Sequence, residues 1–318
     1  MYNMIILSNV KSLVFEGGGI KGMAYIGFLR TIEEFVPGFL NKIEQFAGSS
    51  VGAFVAALLT IGKTPNDIEH IMRSLASSDL LNTGCGFMPK ISVLLRALFN
   101  MTRKYGMIRT KSIEKELRNL FTDENGKDIL FADLKKRLIV TSANLNTHKI
   151  VFFSNELTPK VPVYKAVMAS MCIPFVFEPV KYDFNPDYNE KKHYLIDGGN
   201  LMNFPIKVFD DEDPYESINS SLSNKTVLGL RLDTPEDLNY EKGTTNEKID
   251  SFVSYVNEFI DTMYYNSKLN IRDDERTVSI IVKSSGINVK NYNDIFDELL
   301  KNGNDAADAK KKSKKRCV

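Results

Sequence analysis

Short apolar runs, each cut off by glycine, alternate with stretches of helical period along the first part of the chain. Residues 11–16 (KSLVFE) form an apolar, β-favouring run that stops at Gly17, Gly18 and Gly19, and 21–36 (KGMAYIGFLRTIEEFV) then repeats apolar positions every three to four residues. A second run, Ile43 to Ala47, meets a turn bounded by Gly48 and Gly52 and passes into a helix that carries Ala53, Ala56 and Ala57. Two strand-turn-helix units in succession predict a parallel sheet with right-handed crossovers.

Further strands are expected at Leu138–Ala143, Lys149–Phe153, His193–Ile196, Val227–Leu232 and Val278–Val282, whose continuous apolar character suits buried positions. Between them, 181–192 and 210–225 are polar, proline-bearing stretches that read as surface insertions. Residues 246–266 space Ile249, Phe252, Val253, Val256 and Phe259 as an amphipathic helix packed on the sheet. The segment 88–118 is basic and amphipathic, a pattern that fits a helix over the sheet or one lying at a bilayer interface.

Composition places the chain among ordinary globular proteins: of 318 residues, 43% are hydrophobic and 25% charged, which excludes disorder, collagen and a disulfide scaffold. Cys85, Cys172 and Cys317 are far apart and odd in number, as expected in a reducing compartment such as the cytoplasm, and no Cys/His spacing suits a metal. The N-terminus has no leader pattern and reads as mature protein. No apolar stretch reaches the roughly 18 residues of a membrane span. One domain is expected over 1–300, followed by a disordered polybasic tail at 301–318. Residues 310–318 hold six basic residues and no acid, leaving 35 basic against 40 acidic in the rest. Such a block is an interaction tail or a solvated end; through 310–316 it could contact an anionic membrane or serve nuclear targeting.

The chemistry concentrates in the glycine turns. Gly48-Ser49-Ser50-Val51-Gly52 matches G-x-S-x-G between a predicted strand and a predicted helix, the context of a nucleophile elbow with Ser50 as nucleophile. The flanking glycines leave room for so sharp a turn, and the helix N-terminus favours negative charge beside the hydroxyl. The other segment, Glu16 to Gly22, also satisfies G-x-G-x-x-G, with Glu44 at roughly the distance of a ribose-binding acid. It reads either as a dinucleotide turn or as an oxyanion hole built from consecutive glycine N–H groups.

A serine nucleophile needs a base, and His70, His148 and His193 are the only imidazoles. His193 would serve in a conventional triad with Asp183 or Asp187 as its acid. Asp197 is the better placed, since it ends the run HYLI and precedes Gly198-Gly199. An aspartate of ordinary pKa near 4 is a weak base, so such a residue acts through partial burial or through position. The DDED run at 210–213 lacks the spacing of a calcium loop and reads as a solvated acidic loop.

Taken in order, EGGGIKG, GSSVG, the run Ala169 to Pro179 (ASMCIPFVFEP) and Asp197-Gly198-Gly199 resemble the motifs of the patatin-like phospholipases, over residues 11–235. The resemblance implies a three-layer α/β/α sandwich around a mainly parallel sheet. It also implies a Ser-Asp dyad acyl hydrolase that uses neither a metal nor a cofactor. Ser50 would be the acylated nucleophile, Asp197 the base, and Gly17, Gly18 and Gly19 the oxyanion donors. Lys21 stands where the family has a basic residue, usually arginine, and would hold an anionic head group or brace the loop. Asn203 and Pro205 match a structural segment after the aspartate. Glu16 departs from the family's usual aspartate and would brace the turn. The expected substrate is a phospholipid or lysophospholipid. The alternatives are a catalytically silent lipid-binding protein of the same fold, and a nucleotide-binding protein using the Gly17–Gly22 loop.

Overall fold

A computed structural model describes residues 4–77, 105–108, 110–184, 192–235, 274–282 and 292–312, with single positions between 249 and 262. Strands β1 (Ser12–Phe15), β2 (Gln45–Gly48), β4 (Arg137–Asn144), β9 (Val227–Asp233) and β10 (Thr277–Ile281) run parallel in the order β10-β9-β1-β2-β4. The two glycine-ended runs of the sequence are therefore adjacent central strands, and both reach the same end of the sheet. Around β4 the sheet turns antiparallel, with β5 (Lys149–Ser154), β8 (His193–Asp197) and β7 (Val180–Tyr182). A small parallel pair, β3 (Gly106–Ile108) and β6 (Phe175–Phe177), lies apart from it.

Strand β4 pairs with β5 along one edge, so its other edge serves both β2 and β8. Gly48 pairs with Val140 and Asp197 with Ser142, two residues further on. Strand β2 thus arrives from below and β8 from above, and they meet end to end against β4. That head-on meeting sets the position of the site.

One sheet face is covered by helices Met23–Phe35, Val51–Thr60, Pro65–Ser77, Val163–Ser170 and Tyr292–Lys312, whose apolar residues join those of the strands in the main core. All ten residues of Val51–Thr60 are buried, which is why that segment is apolar on every side rather than amphipathic. The opposite face is covered by the segment after β8, where Phe204, Ile206, Val208 and Phe209 pack on Val14, Ala47, Ile139 and Phe152. Among the described residues no helix is long and apolar enough to cross a membrane.

Several expectations change. Residues 301–312 are helical and continue the helix from Tyr292, so the disordered tail expected from 301 does not begin there. Asn302, Gly303 and Ala307 are buried. A Cβ on Gly303 would stand 2.0 Å from the Ala24 carbonyl oxygen, and one on Gly27 would stand 2.0 Å from that of Leu300. The final helix and Met23–Phe35 approach backbone to backbone through these glycines, beside a hydrogen bond from Thr31 to Asn304. Residues 313–318 lie outside the described residues, as do Cys85 and Cys317.

Asp210 is not part of a solvated loop: it is 6% exposed and ion-paired with the buried Arg276, which also holds Asp274. Lys181 and Tyr182 belong to β7 rather than to an insertion, while 185–191 lie outside the described residues. Most of the amphipathic helix expected over 246–266 also lies outside them, and its described apolar positions Ile249 and Phe259 are exposed. Of the basic stretch 88–118, residues 88–104 and 109 lie outside; 110–118 fall in the helix Thr110–Leu120, which buries Leu117.

The glycine contact yields a stability prediction. Gly303→Val forces apart two helices already in backbone contact and is expected to lower unfolding free energy by about 3 kcal/mol, read as a reduced urea midpoint.

Candidate active site

Ser50 sits between the end of β2 and the helix Val51–Thr60 with φ 52° and ψ −127°. A side chain in that left-handed region is strained, and strain of this kind persists only where the surroundings over-determine it. Here the determinant is packing at the neighbouring glycines. A Cβ on Gly52 would lie 2.5 Å from the carbonyl oxygen of Phe15, and one on Gly48 would lie 2.3 Å from the Gly52 carbonyl carbon. The turn therefore closes only with glycine at both positions, and the serine hydroxyl is held at the helix N-terminus. The Ser50 N–H donates to Ser170 Oγ at 2.9 Å, a buried anchor 120 residues away.

Asp197, the last residue of β8, is fully buried, and its Oδ2 accepts a hydrogen bond from Ser50 Oγ at 2.6 Å. Its other oxygen, Oδ1, accepts from the Gly199 N–H at 2.7 Å, and its own N–H donates to the Cys172 carbonyl at 2.9 Å. The carboxylate is thus oriented from both sides. Burial, and then the charge of Asp197, push the neighbouring Cys172 thiol far above the ordinary range, so it stays protonated beside the Ser50–Asp197 contact.

The serine meets the carboxylate directly, with no imidazole between them. His193 stands at the opposite end of β8, about 13 Å from Asp197 along the strand, and its Nδ1 pairs with the Asn144 amide at 2.8 Å. His70 and His148 are exposed, on an outer helix and a hairpin tip. The triad through His193 is not assembled; Asp183 is half-buried just past β7, and Asp187 lies outside the described residues.

The glycine loop is divided in its duties. The Gly17 N–H donates to the Asn203 carbonyl at 3.0 Å. It is therefore a tie to the segment after β8 and is not free to face an oxyanion, contrary to the expectation that all three glycines donate. Among the described residues the Gly18 and Gly19 N–H groups have no protein partner. Glu16 is fully buried beneath them: its Oε2 accepts from the Leu232 N–H at 2.8 Å and its Oε1 from the Asn203 amide at 3.3 Å. The same amide reaches the Gly17 carbonyl at 3.2 Å, and Tyr25 Oη donates to the Glu16 carbonyl at 2.7 Å. Burial, then the charges of Glu16 and Asp233, raise the Tyr25 pKa well above its ordinary value, so that phenol remains a donor. Lys21 lies half-exposed on the short 3₁₀ turn Gly19–Gly22.

The nucleotide reading of this loop loses its acid. Glu44 precedes β2 at the other end of the sheet, exposed and bonded to Lys11 Nζ at 2.9 Å. Sequence reasoning missed Ser170 as the anchor of the elbow and Asn203 as the link between Glu16 and Gly17. Nothing in the local pattern marks Ser170, because its partner lies in another element.

A family model described as patatin-like phospholipase matches residues 13–210, a span that contains the elbow, the glycine loop and Asp197. The chain is 29% identical over 209 residues to the probable lipid hydrolase 463L of Invertebrate iridescent virus 6, covering 62% of each protein. It is 26% identical over 213 residues to a cGAMP-activated phospholipase of Vibrio cholerae, covering 62% of this chain and 56% of that one. The chain spans about three fifths of the length of the curated relatives it matches. Among solved structures, VipD from Legionella pneumophila superposes with a TM-score of 0.57 at 18% identity, over 96% of this chain and 67% of that one, a likeness of fold.

The elbow anchor can be tested. Ser170→Ala leaves the buried Ser50 N–H without an acceptor and is expected to cost about 1–3 kcal/mol of stability in urea unfolding. An unchanged midpoint would show that the anchor carries no weight.

Proposed function

The chain belongs to the patatin-like phospholipase family, and on that premise we propose that it hydrolyses fatty acyl esters of phospholipid or lysophospholipid through an acyl-enzyme on Ser50, with Asp197 as base. The observation that carries this reading is the 2.6 Å hydrogen bond from Ser50 Oγ to a carboxylate oriented by Gly199. Ser50 Oγ attacks the ester carbonyl while its proton passes to Asp197 Oδ2. The contact is already made before substrate arrives, so the proton transfer needs no rearrangement of the pair.

Negative charge then develops on the former carbonyl oxygen. The unpaired N–H groups of Gly18 and Gly19 supply donors for it, together with the positive end of the helix Val51–Thr60. Collapse of the tetrahedral intermediate expels the alcohol, which takes the proton from Asp197 and leaves Ser50 acylated. Water next gives its proton to Asp197 and attacks the acyl carbonyl, and a second collapse returns the proton to Ser50 with release of the fatty acid. Lys21, half-exposed beside the loop, is the cation for a phosphate-bearing head group. No step needs a cofactor.

Fatty-acid release from phospholipid vesicles, with fluorophosphonate labelling and peptide mapping, tests this directly. Ser50→Ala and Asp197→Asn are expected to lose at least about a thousandfold in turnover, with the label confined to Ser50. His193→Ala is expected to retain wild-type turnover. Release that survives in Ser50→Ala would overturn the assignment. No release and no adduct in wild type would leave a silent lipid-binding fold.

A further inference from the structure

Four non-glycine residues among those described hold a positive φ: Ser50, Tyr105, His148 and Phe175. The nucleophile turn accounts for the first. The other three lie beyond the dyad, where β8, β7 and the β4–β5 hairpin rise past the end of β2: His148 on that hairpin, and Tyr105 and Phe175 at the small β3–β6 pair, which meets β8 through the Tyr105 and Tyr194 rings. Asp197 pairs with Ser142, and Leu145 lies three residues further along, about 10 Å above the carboxylate.

Tyr194 is the hub of this rim. Its carbonyl accepts the Leu145 N–H at 2.9 Å, its ring meets that of Tyr105 edge-on at 5.7 Å, and Lys181 Nζ lies 5.4 Å from its centre. Phe175 pairs in register with Gly106, next to Tyr105. These side chains are not tucked in: Tyr105 is 57% exposed, Leu145 48% and Phe175 42%. A left-handed backbone is costly for a bulky aromatic residue, and it is maintained at Tyr105 and Phe175 although their rings, edge-on to Tyr194 and Phe259, stay about half exposed. Among the described residues of these segments the exposed charged side chains, Lys149, Lys181 and Lys192, are basic, while Glu178 and Asp183 are half-buried.

We infer that this rim docks the enzyme on a phospholipid surface bearing anionic head groups. The inference rests on the reading that the dyad acts on lipid esters, and it assigns to that site its mode of approach. Exposed tyrosine, leucine and phenylalanine side chains with exposed lysines among them combine what a bilayer interface selects, apolar contact at depth and positive charge toward anionic head groups. Interfacial elements sink about 5–10 Å into the head-group and acyl boundary. A rim standing about 10 Å above Ser50 would then bring the serine to the level of the ester bonds.

The helix that leads into the basic C-terminal residues runs elsewhere. Parallel β10 ends on the dyad side, and the 21-residue helix after it leads away for about 31 Å, with Asp297 paired to Arg73 early and Asn304 to Thr31 later. Lys312 therefore lies at the end of the sheet away from Ser50.

Flotation of the full chain with phosphatidylcholine vesicles, with and without phosphatidylserine, tests the rim. A Tyr105→Asn, Leu145→Ser, Phe175→Asn variant is expected to bind at least about tenfold more weakly to both. A Lys149→Glu, Lys181→Glu variant should lose only the gain that phosphatidylserine confers. Asparagine tolerates left-handed backbone, so the first variant should melt no lower than wild type. Full vesicle binding by that folded variant overturns the proposal. So does binding that instead disappears when the basic residues of 310–316 are replaced by serine. Turnover of a water-soluble ester by wild type probes the dyad separately: rim-dependent binding without that turnover keeps the docking surface and discards the catalytic reading.

Discussion

The contact between Ser50 and Asp197 joins residues 147 apart in the chain, and the arrangement of the surrounding strands follows from it. Two side chains can meet at 2.6 Å from opposite directions only if their strands stop short of one another on a common neighbour. Strand β4 is that neighbour. Its eight residues are long enough to pair with β2 in the lower half and β8 in the upper half, while β5 occupies the far edge. The antiparallel insertion in an otherwise parallel sheet is therefore the feature that brings a carboxylate to the elbow without an intervening imidazole.

Glu16 plays the corresponding part for the glycine loop. A buried carboxylate is costly unless its oxygens are bonded. This one is bonded to the Leu232 N–H of β9 and the Asn203 amide of the segment after β8. It ties strand β9 and the segment after β8 to the loop. The bracing expected of Glu16 is made through these two contacts. Gly17 is bound into the scaffold, whereas the Gly18 and Gly19 N–H groups have no partner among the described residues.

Much of this was legible because the signals are local. The glycine spacing of GSSVG is dictated by backbone atoms 2.3–2.8 Å from where a Cβ would be, so the sequence can hardly change there without losing the turn. Asp197 announced itself through an apolar strand ending in an acid before two glycines. The Gly17 tie was not legible, since the direction of one N–H depends on a carbonyl 186 positions away. Nor was the end of the chain. Asn302, Gly303 and Asn304 look like helix breakers beside a lysine run, yet Gly303 is the close-approach residue of a helix pair, and Phe296, Leu299, Gly303 and Ala307 keep helical spacing on its buried side. A charge pattern was allowed to outweigh a weaker apolar period. Asp210 misled for the same reason, because its partner Arg276 is remote in sequence.

The distribution of strain completes the physical picture. Helices that close on one another through glycine, such as Met23–Phe35 and Tyr292–Lys312, and the buried Arg276 with its two aspartates make the helical face and the lower end of the sheet rigid. The unfavourable backbone conformations lie at the other end: the elbow at Ser50, and beyond it Tyr105, His148 and Phe175. A domain with only modest net stability can hold several such residues only if they are few and the remainder is well packed. The separation is what the proposed chemistry asks of the fold. A nucleophile must be presented on a turn that resists relaxing, and rings must stay half exposed until a lipid surface receives them, so both depend on a scaffold whose other end does not yield.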